Sequence, residues 1–352
     1  MIKNKTILAM AFILTLFPML SSAIELETSD VSANGQFLAL AHDDNAIRVF
    51  SLENGQLLHT LQSHTDSIQT VSFNQDGSRL LSGSWGEYAI LWNVETGKII
   101  KKKKMPETVM HAYFSADEEN IILSIDEVGL IIYDATLSRK LKSFAINDNL
   151  QLSKNKDFLV GQSKKGVSIV NIKNKKLLFD APEDAYDEDM YFSDDNTVLV
   201  IRDYSSFHVW SIKDETKIHT IDAIKSADTA ALRATTNELW ISNNDNIEIH
   251  NYLTSKPMAI LSFKELNIDE IQHIAFSENA EQAAITTKLK DDSSQIIMLD
   301  TSSYEIKLLI SPDSFVWPGT QFITNDLLFI QSAYPSEIWD LNTQKKKFSF
   351  PN

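Results

Sequence analysis

SHTDSIQTVSFNQDGSRLLSGSWGEYAILWN, residues 63–93, holds three markers that recur along the chain: an apolar strand ending in Phe73, a polar turn at Asp76–Gly77, and a buried-type strand ending in Trp92. The place of Trp92 is taken in other units by Phe50, Tyr133, Val170, Trp210, His250, Leu299 and Trp339, at steps of 42, 41, 37, 40, 40, 49 and 40 residues. The turn marker keeps the same beat independently, at Asn34–Gly35, Glu119–Asn120, Asn155–Lys156, Asp195–Asn196, Thr236–Asn237, Glu278–Asn279 and Asn325–Asp326. Two unrelated markers with one period identify a repeat architecture.

Within a unit, runs of β-branched and aromatic residues alternate with turn residues every 8–12 positions, which reads as strands. In the second unit the strands are expected at Ile68–Phe73, Arg79–Ser84, Ala89–Val94 and Lys98–Lys103, with the middle turn at Trp85–Tyr88. A four-stranded antiparallel sheet leaves two faces to bury, and a radial array buries each against a neighbour. The expected fold is therefore an all-β propeller of eight four-stranded blades, with seven as the alternative because the 49-residue step is irregular. The first unit begins with its own inner strand, Ile24–Ser32, and the last ends with its own outer strand, Lys345–Phe350. Ring closure is thus expected to rest on side-chain packing.

The second unit resembles the WD-repeat (β-transducin-like) propeller family. Ser63–His64 stands where that family has Gly-His, Trp92–Asn93 where it has Trp-Asp, and the last unit has Trp339–Asp340. The resemblance implies a buried network in each blade of a His, a strand Ser or Thr, a turn Asp and the Trp. Here His64, Ser82 or Ser84, and Trp92 match, while Gly86 takes the turn Asp place. In the first unit Asp44 fits that place and Phe50 replaces the Trp. Exchanging such a network for apolar packing is nearly neutral, and the other units keep only the apolar pattern. Phe50, Trp92, Tyr133, Trp210, Trp339 and His64 are the expected blade anchors.

Residues 1–23 pair a basic start, Lys3 and Lys5, with an apolar run Ile7–Leu20 and the small residues Ser21–Ser22–Ala23. That order predicts a signal peptide cut after Ala23, leaving residues 24–352 as the propeller, periplasmic or secreted. Abundant Asn, Lys and Ile fit a bacterial exported member. With no cysteine, disulfides, thiolate metal sites and a lipid-anchored signal are excluded. The whole chain carries a net charge of −16, and loss of Lys3 and Lys5 takes it near −18. Such a surface repels phosphate backbones, so nucleic acid is not an expected partner. No later stretch is long and apolar enough for a membrane span.

No Gly-x-Ser-x-Gly, Walker loop, dinucleotide fingerprint or His-Glu-x-x-His occurs. His111 and His273 each precede a marker aromatic (Phe114, Phe276) by three residues, but a metal needs a third ligand in register. The acidic run Glu183–Asp195 lacks the order of a calcium loop. Lys101–Lys104 and Lys345–Lys347 fall on outermost strands, where lysines block sheet-to-sheet pairing and also offer a basic patch. No metal or cofactor is expected.

The expected function is a non-catalytic, monomeric scaffold binding a protein or peptide on the face formed by the loops between second and third strands. Its candidates are Trp85, Tyr88, Tyr204 and Tyr334 among Asp43, Asp126 and Asp203, joined by Trp317 before an innermost strand. Trp and Tyr favour binding hot spots, and the acidic setting favours a basic partner segment. Trp85 and Tyr88 have a second reading, as filler of the gap at Gly86. The alternatives are a periplasmic propeller enzyme of hydrolase or quinone-dependent dehydrogenase type, and an envelope-assembly scaffold.

Overall fold

A computed structural model describes residues 26–350 apart from 147, 154, 182–189, 194, 204–205, 223–228, 315, 317–319 and 333–334. Its strands form eight separate sheets of four, each joined in chain order from an innermost to an outermost strand. Blade 1 is β1 (Leu26–Val31), β2 (Phe37–His42), β3 (Ala46–Ser51) and β4 (Leu57–Gln62). Blade 2 is β5 (Ile68–Phe73), β6 (Arg79–Ser84), β7 (Tyr88–Asn93) and β8 (Lys98–Lys104). Blade 3 is β9 (Val109–Phe114), β10 (Asn120–Ile125), β11 (Gly129–Asp134) and β12 (Lys140–Phe144). Two short 3-10 turns, Ala234–Thr236 and Lys264–Leu266, are the helical elements among the described residues.

The eight anchors occupy one register. Leu38 pairs with Phe50, Leu80 with Trp92, Ile121 with Tyr133 and Leu159 with Val170. Leu199 pairs with Trp210, Leu239 with His250, Ala283 with Leu299 and Leu328 with Trp339. In every blade the pairing of third to fourth strand slips at the anchor, for example between Leu91 and Trp92. A bulge there sharpens the twist that a radial sheet needs. Trp92 and Trp210 are buried, whereas Trp339 keeps a partial exposure. The fully buried tryptophan of the later blades is Trp240, on a second strand, edge-on to Phe276.

The 49-residue step comes from longer elements in blade 7 and not from a missing blade. Its first three strands, Ile268–Phe276, Gln282–Leu289 and Ser294–Asp300, run to nine, eight and seven residues.

The first turn of most blades follows a pattern of its own. Ser32, Ser115, Ser153, Ser193 and Ser277 each accept the amide of the residue five positions on, as Asn74 does through its side-chain oxygen. Three residues after each lies a positive φ: Gly35, Gly77, Glu118, Lys156, Asn196 and Ala280. The turn markers of blades 3 and 7 therefore sit at Asp117–Glu118 and Asn279–Ala280, not at Glu119–Asn120 and Glu278–Asn279. Without glycine there, the sequence left the register open. Strand β7 likewise starts at Tyr88, so the middle turn of blade 2 is Trp85–Glu87.

The buried apolar residues divide into eight clusters, one at each junction between blades. The eighth closes the ring, setting Val31, Leu38, Leu40 and Phe50 against Phe329, Ile338 and Phe350. Phe50 and Phe350 meet at 5.0 Å, and Ser29 donates to Gln331 across the seam at 2.9 Å. The outer strand Lys345–Phe350 belongs wholly to the last blade. Among the described residues closure uses side chains, and no strand is exchanged between the first and last blades.

Candidate binding face

Antiparallel order puts the turns between second and third strands at the same end as the connections entering each blade. In blades 1–3 that end is acidic. Asp43, Asp44, Asp66, Glu107, Asp126 and Glu127 are exposed there. Asp44 is held below its ordinary carboxylate value by Arg48, whose guanidinium approaches to 2.7 Å. Asp126 accepts the amide of Glu127 at 3.0 Å, and Asp66 that of Ser67 at 2.9 Å. These bonds fix the turns and leave the charges facing water.

Trp85 stands among them with 56% of its surface exposed, and Val128 on the next blade with 39%. The backbone of Trp85 is pinned, its amide donating to the Ser67 carbonyl at 2.9 Å. Its ring does not fill the place of the turn aspartate. A Cβ at Gly86 would come within 3.0 Å of Thr65 Oγ1 and 3.4 Å of Asp66 Cβ, so the entering loop already closes over that place. An exposed indole on a fixed loop carries large apolar area and loses little freedom on binding. Tyr88 is a packing residue in this structure: it lies against the junction of blades 1 and 2 under the Lys102 ammonium, 4.4 Å from its ring.

Beneath Trp85 the network of the second blade is assembled. His64 reaches Ser84 at 2.9 Å through Nδ1 and Ser82 at 2.7 Å through Nε2, and Trp92 Nε1 donates to Ser82 at 2.9 Å. Both serines take part, where the sequence left a choice between them. Burial keeps the imidazole neutral, its pKa pulled down to about 4. In blade 1, Asp44 turns outward to Arg48, and His42 occupies the strand place of Ser84, fully buried and also pulled down to about 4 by burial.

Asp203 is engaged inside its own blade, one carboxylate oxygen accepting the Ser206 amide at 2.7 Å and the other lying 2.8 Å from His208 Nε2. Tyr204, Tyr334 and Trp317 lie outside the described residues, as do 183–189 and 194 of the acidic run. The acidic face is bounded at blade 4 by Lys164 and Lys165, beside a cleft walled by Phe144, Ile146 and Leu177. Sequence reasoning missed Asp66 and Glu107, because it drew its acidic residues from one set of loops, and Val128, because in that turn it read only Asp126 and Glu127. The spacing of Asp66 and Glu107 ahead of β5 and β9 could have shown them.

His111 and His273 sit on innermost strands of blades 3 and 7, four blades apart in a ring of eight, so the fold holds them on opposite sides. His111 stacks on Tyr113 at 6.0 Å. His273 is held neutral by burial. Among the described residues no group of three or more His, Asp or Glu is placed to hold a metal ion.

Residues 55–93, which run from the outermost strand of blade 1 through the third strand of blade 2, match the family described as WD domain, G-beta repeat. The chain is 32% identical over 114 residues to the COMPASS component SWD3 of Saccharomyces cerevisiae, covering 32% of this chain and 36% of that protein. It is 31% identical over 94 residues to eukaryotic translation initiation factor 3 subunit I of Schizosaccharomyces pombe, covering 27% of this chain and 29% of that one. The matched stretches thus span 36% and 29% of these relatives' own length. Among solved structures, the dihydro-heme d1 dehydrogenase NirN superposes over 82% of this chain and 66% of its own, with a TM-score of 0.67 at 14% identity. At that identity the likeness is one of fold alone. Together the matches support a WD-repeat β-propeller.

Proposed function

We propose that this chain is an exported, non-catalytic propeller scaffold that takes a cationic segment of a partner protein on the acidic face of blades 1–3. The observation that carries this reading is Trp85, 56% exposed on a pinned turn of an end that also exposes Asp43, Asp66, Glu107, Asp126 and Glu127. An aromatic anchor on a mainly acidic end suits a peptide that brings lysine or arginine with apolar side chains. WD-repeat propellers commonly bind proteins, and the two relatives above are by name a component and a subunit of larger assemblies. Export follows from residues 1–23, and an N-terminus at Ile24 on the mature protein is the mass-spectrometric test.

The binding test uses Trp85→Ala in the full chain. Capture of partner from the native host should fall about tenfold or more, with Tm nearly unchanged, since an exposed side chain contributes little to stability. Capture should also weaken with added salt. Undiminished capture by Trp85→Ala would remove the proposed face.

A further inference from the structure

We propose a second interaction surface: the open edge of β8 receives an acidic, extended segment of another protein as a fifth strand of blade 2. Strand β8 is the outermost strand of its sheet and pairs with β7 alone, so one line of its amides and carbonyls is unpaired. Such an edge is a template for another chain.

Its sequence, KIIKKKK, sets it apart in a chain of net charge −16. Lysines at sheet edges ordinarily discourage pairing, and one or two suffice for that. On the last blade the central lysine, Lys346, is neutralised by Asp313 and Glu337. On β8 only Lys104 has a carboxylate, Glu87 at 3.2 Å. Among the described residues Lys98, Lys101, Lys102 and Lys103 form no ion pair. Lys102 and Lys103 instead rest on Tyr88 and Tyr133 and donate to the carbonyls of Ser63 and Ser138.

The register shows which way these charges point. Residues directly opposite share a face. Lys101 and Lys103 lie opposite Leu91 and Ala89, which face blade 3, and Lys140 of β12 lies opposite Tyr133, which faces blade 2. The outer groove between the two blades is therefore lined by lysine from both walls. On the opposite face, toward blade 1, Ile99 lies across from Trp92 with 43% of its surface exposed, and Ile100, at the slip in the pairing, keeps 49%. A strand with carboxylates at alternate positions and aliphatic residues between them matches both features. The acidity of the rest of the chain disfavours a flat anionic lipid surface, which would have to approach the neighbouring carboxylates as well.

The probe is a labelled peptide of about ten residues alternating Glu and Val, long enough to span the edge. Saturable binding to the full chain is expected, weakened about tenfold or more by Lys98→Glu with Lys101→Glu, two exposed side chains whose loss should leave Tm unchanged. Methylating alternate peptide amides should abolish binding, because strand pairing needs those donors. Trp85→Ala should bind the probe as the unaltered chain does, which separates this edge from the acidic face. Absence of saturable binding, equal binding by the double variant, or equal binding of the methylated peptide would each overturn the proposal. So would cosedimentation with phosphatidylserine vesicles that the peptide does not compete away, since the occupant would then be a membrane.

Discussion

Ser82 is the residue on which blade 2 turns. Its hydroxyl lies between His64 Nε2 and Trp92 Nε1, so ring, serine and indole satisfy one another without water. Trp92→Ala removes a side chain only 2% exposed and leaves that hydroxyl with one partner fewer. A loss of roughly 3–5 kcal/mol in chemical denaturation is expected, the range for deleting a large buried aromatic. A loss under about 1 kcal/mol would show that the ring does not sit at the junction of blades 1 and 2. His64 and His42 add a pH dependence. Both are neutral when folded, with pKa pulled from 6.5 to about 4 by burial. The unfolded chain therefore takes up protons first, and their contribution is complete above about pH 6.5 and lost as pH falls toward 4. His64→Asn should flatten the decline between pH 7 and 5; an unchanged slope would mean that this ring is not held neutral.

At the scale of elements, the innermost strands of blades 1 and 2 are joined by a carboxylate. Asp30 on β1 accepts the amide of Phe73 on β5 at 2.7 Å, and desolvation pushes its pKa up to about 6. The sign is opposite to that of the histidines. Between about pH 4 and 6 the folded state holds the proton, so this group costs stability as pH rises and the carboxylate ionises. Asp30→Asn keeps an acceptor for Phe73 and removes the charge. It should stabilise the chain at pH 7 by on the order of 1 kcal/mol, a figure kept small because Asp30 retains some exposure, with the gain vanishing toward pH 4. Destabilisation at pH 7 would show that the charge-assisted bond outweighs the desolvation. Elsewhere polar clamps join blades at the turns. Glu118 receives Arg79 at 2.9 Å and the Gln75 amide at 2.6 Å, and Arg233 donates to the Ala280 carbonyl at 3.0 Å.

For the whole molecule the critical feature is the seam between blades 8 and 1. It is covalently open, so the ring holds only while its packing pays for the entropy of closure. Phe350 is buried at the seam against Phe50. Phe350→Ala is expected to cost roughly 3–5 kcal/mol, as Trp92→Ala does, but with a different distribution. Amide exchange should quicken in β1–β4 and in Lys345–Phe350 ahead of blades 3–6, because those strands lose a neighbour. Uniform quickening around the ring would mean that closure is not the weak point. Much of this architecture was written in the sequence. A 40-residue beat, an anchor on each third strand and period-2 burial determine eight four-stranded blades, since each signal is local and repeats eight times. The anchors hold their register even where Val170, Leu299 or His250 replaces the aromatic, because the place requires volume more than chemistry. What the tertiary structure alone decided depends on neighbours far apart in the chain. It turned the Trp85 ring to solvent, because the loop at Thr65–Asp66 had filled the space beneath Gly86. It took Tyr88 into a junction, left Trp339 partly exposed and buried Trp240, and it set lysines of β8 and β12 across one groove. Exposure is a property of what packs alongside, and no single repeat carries that information.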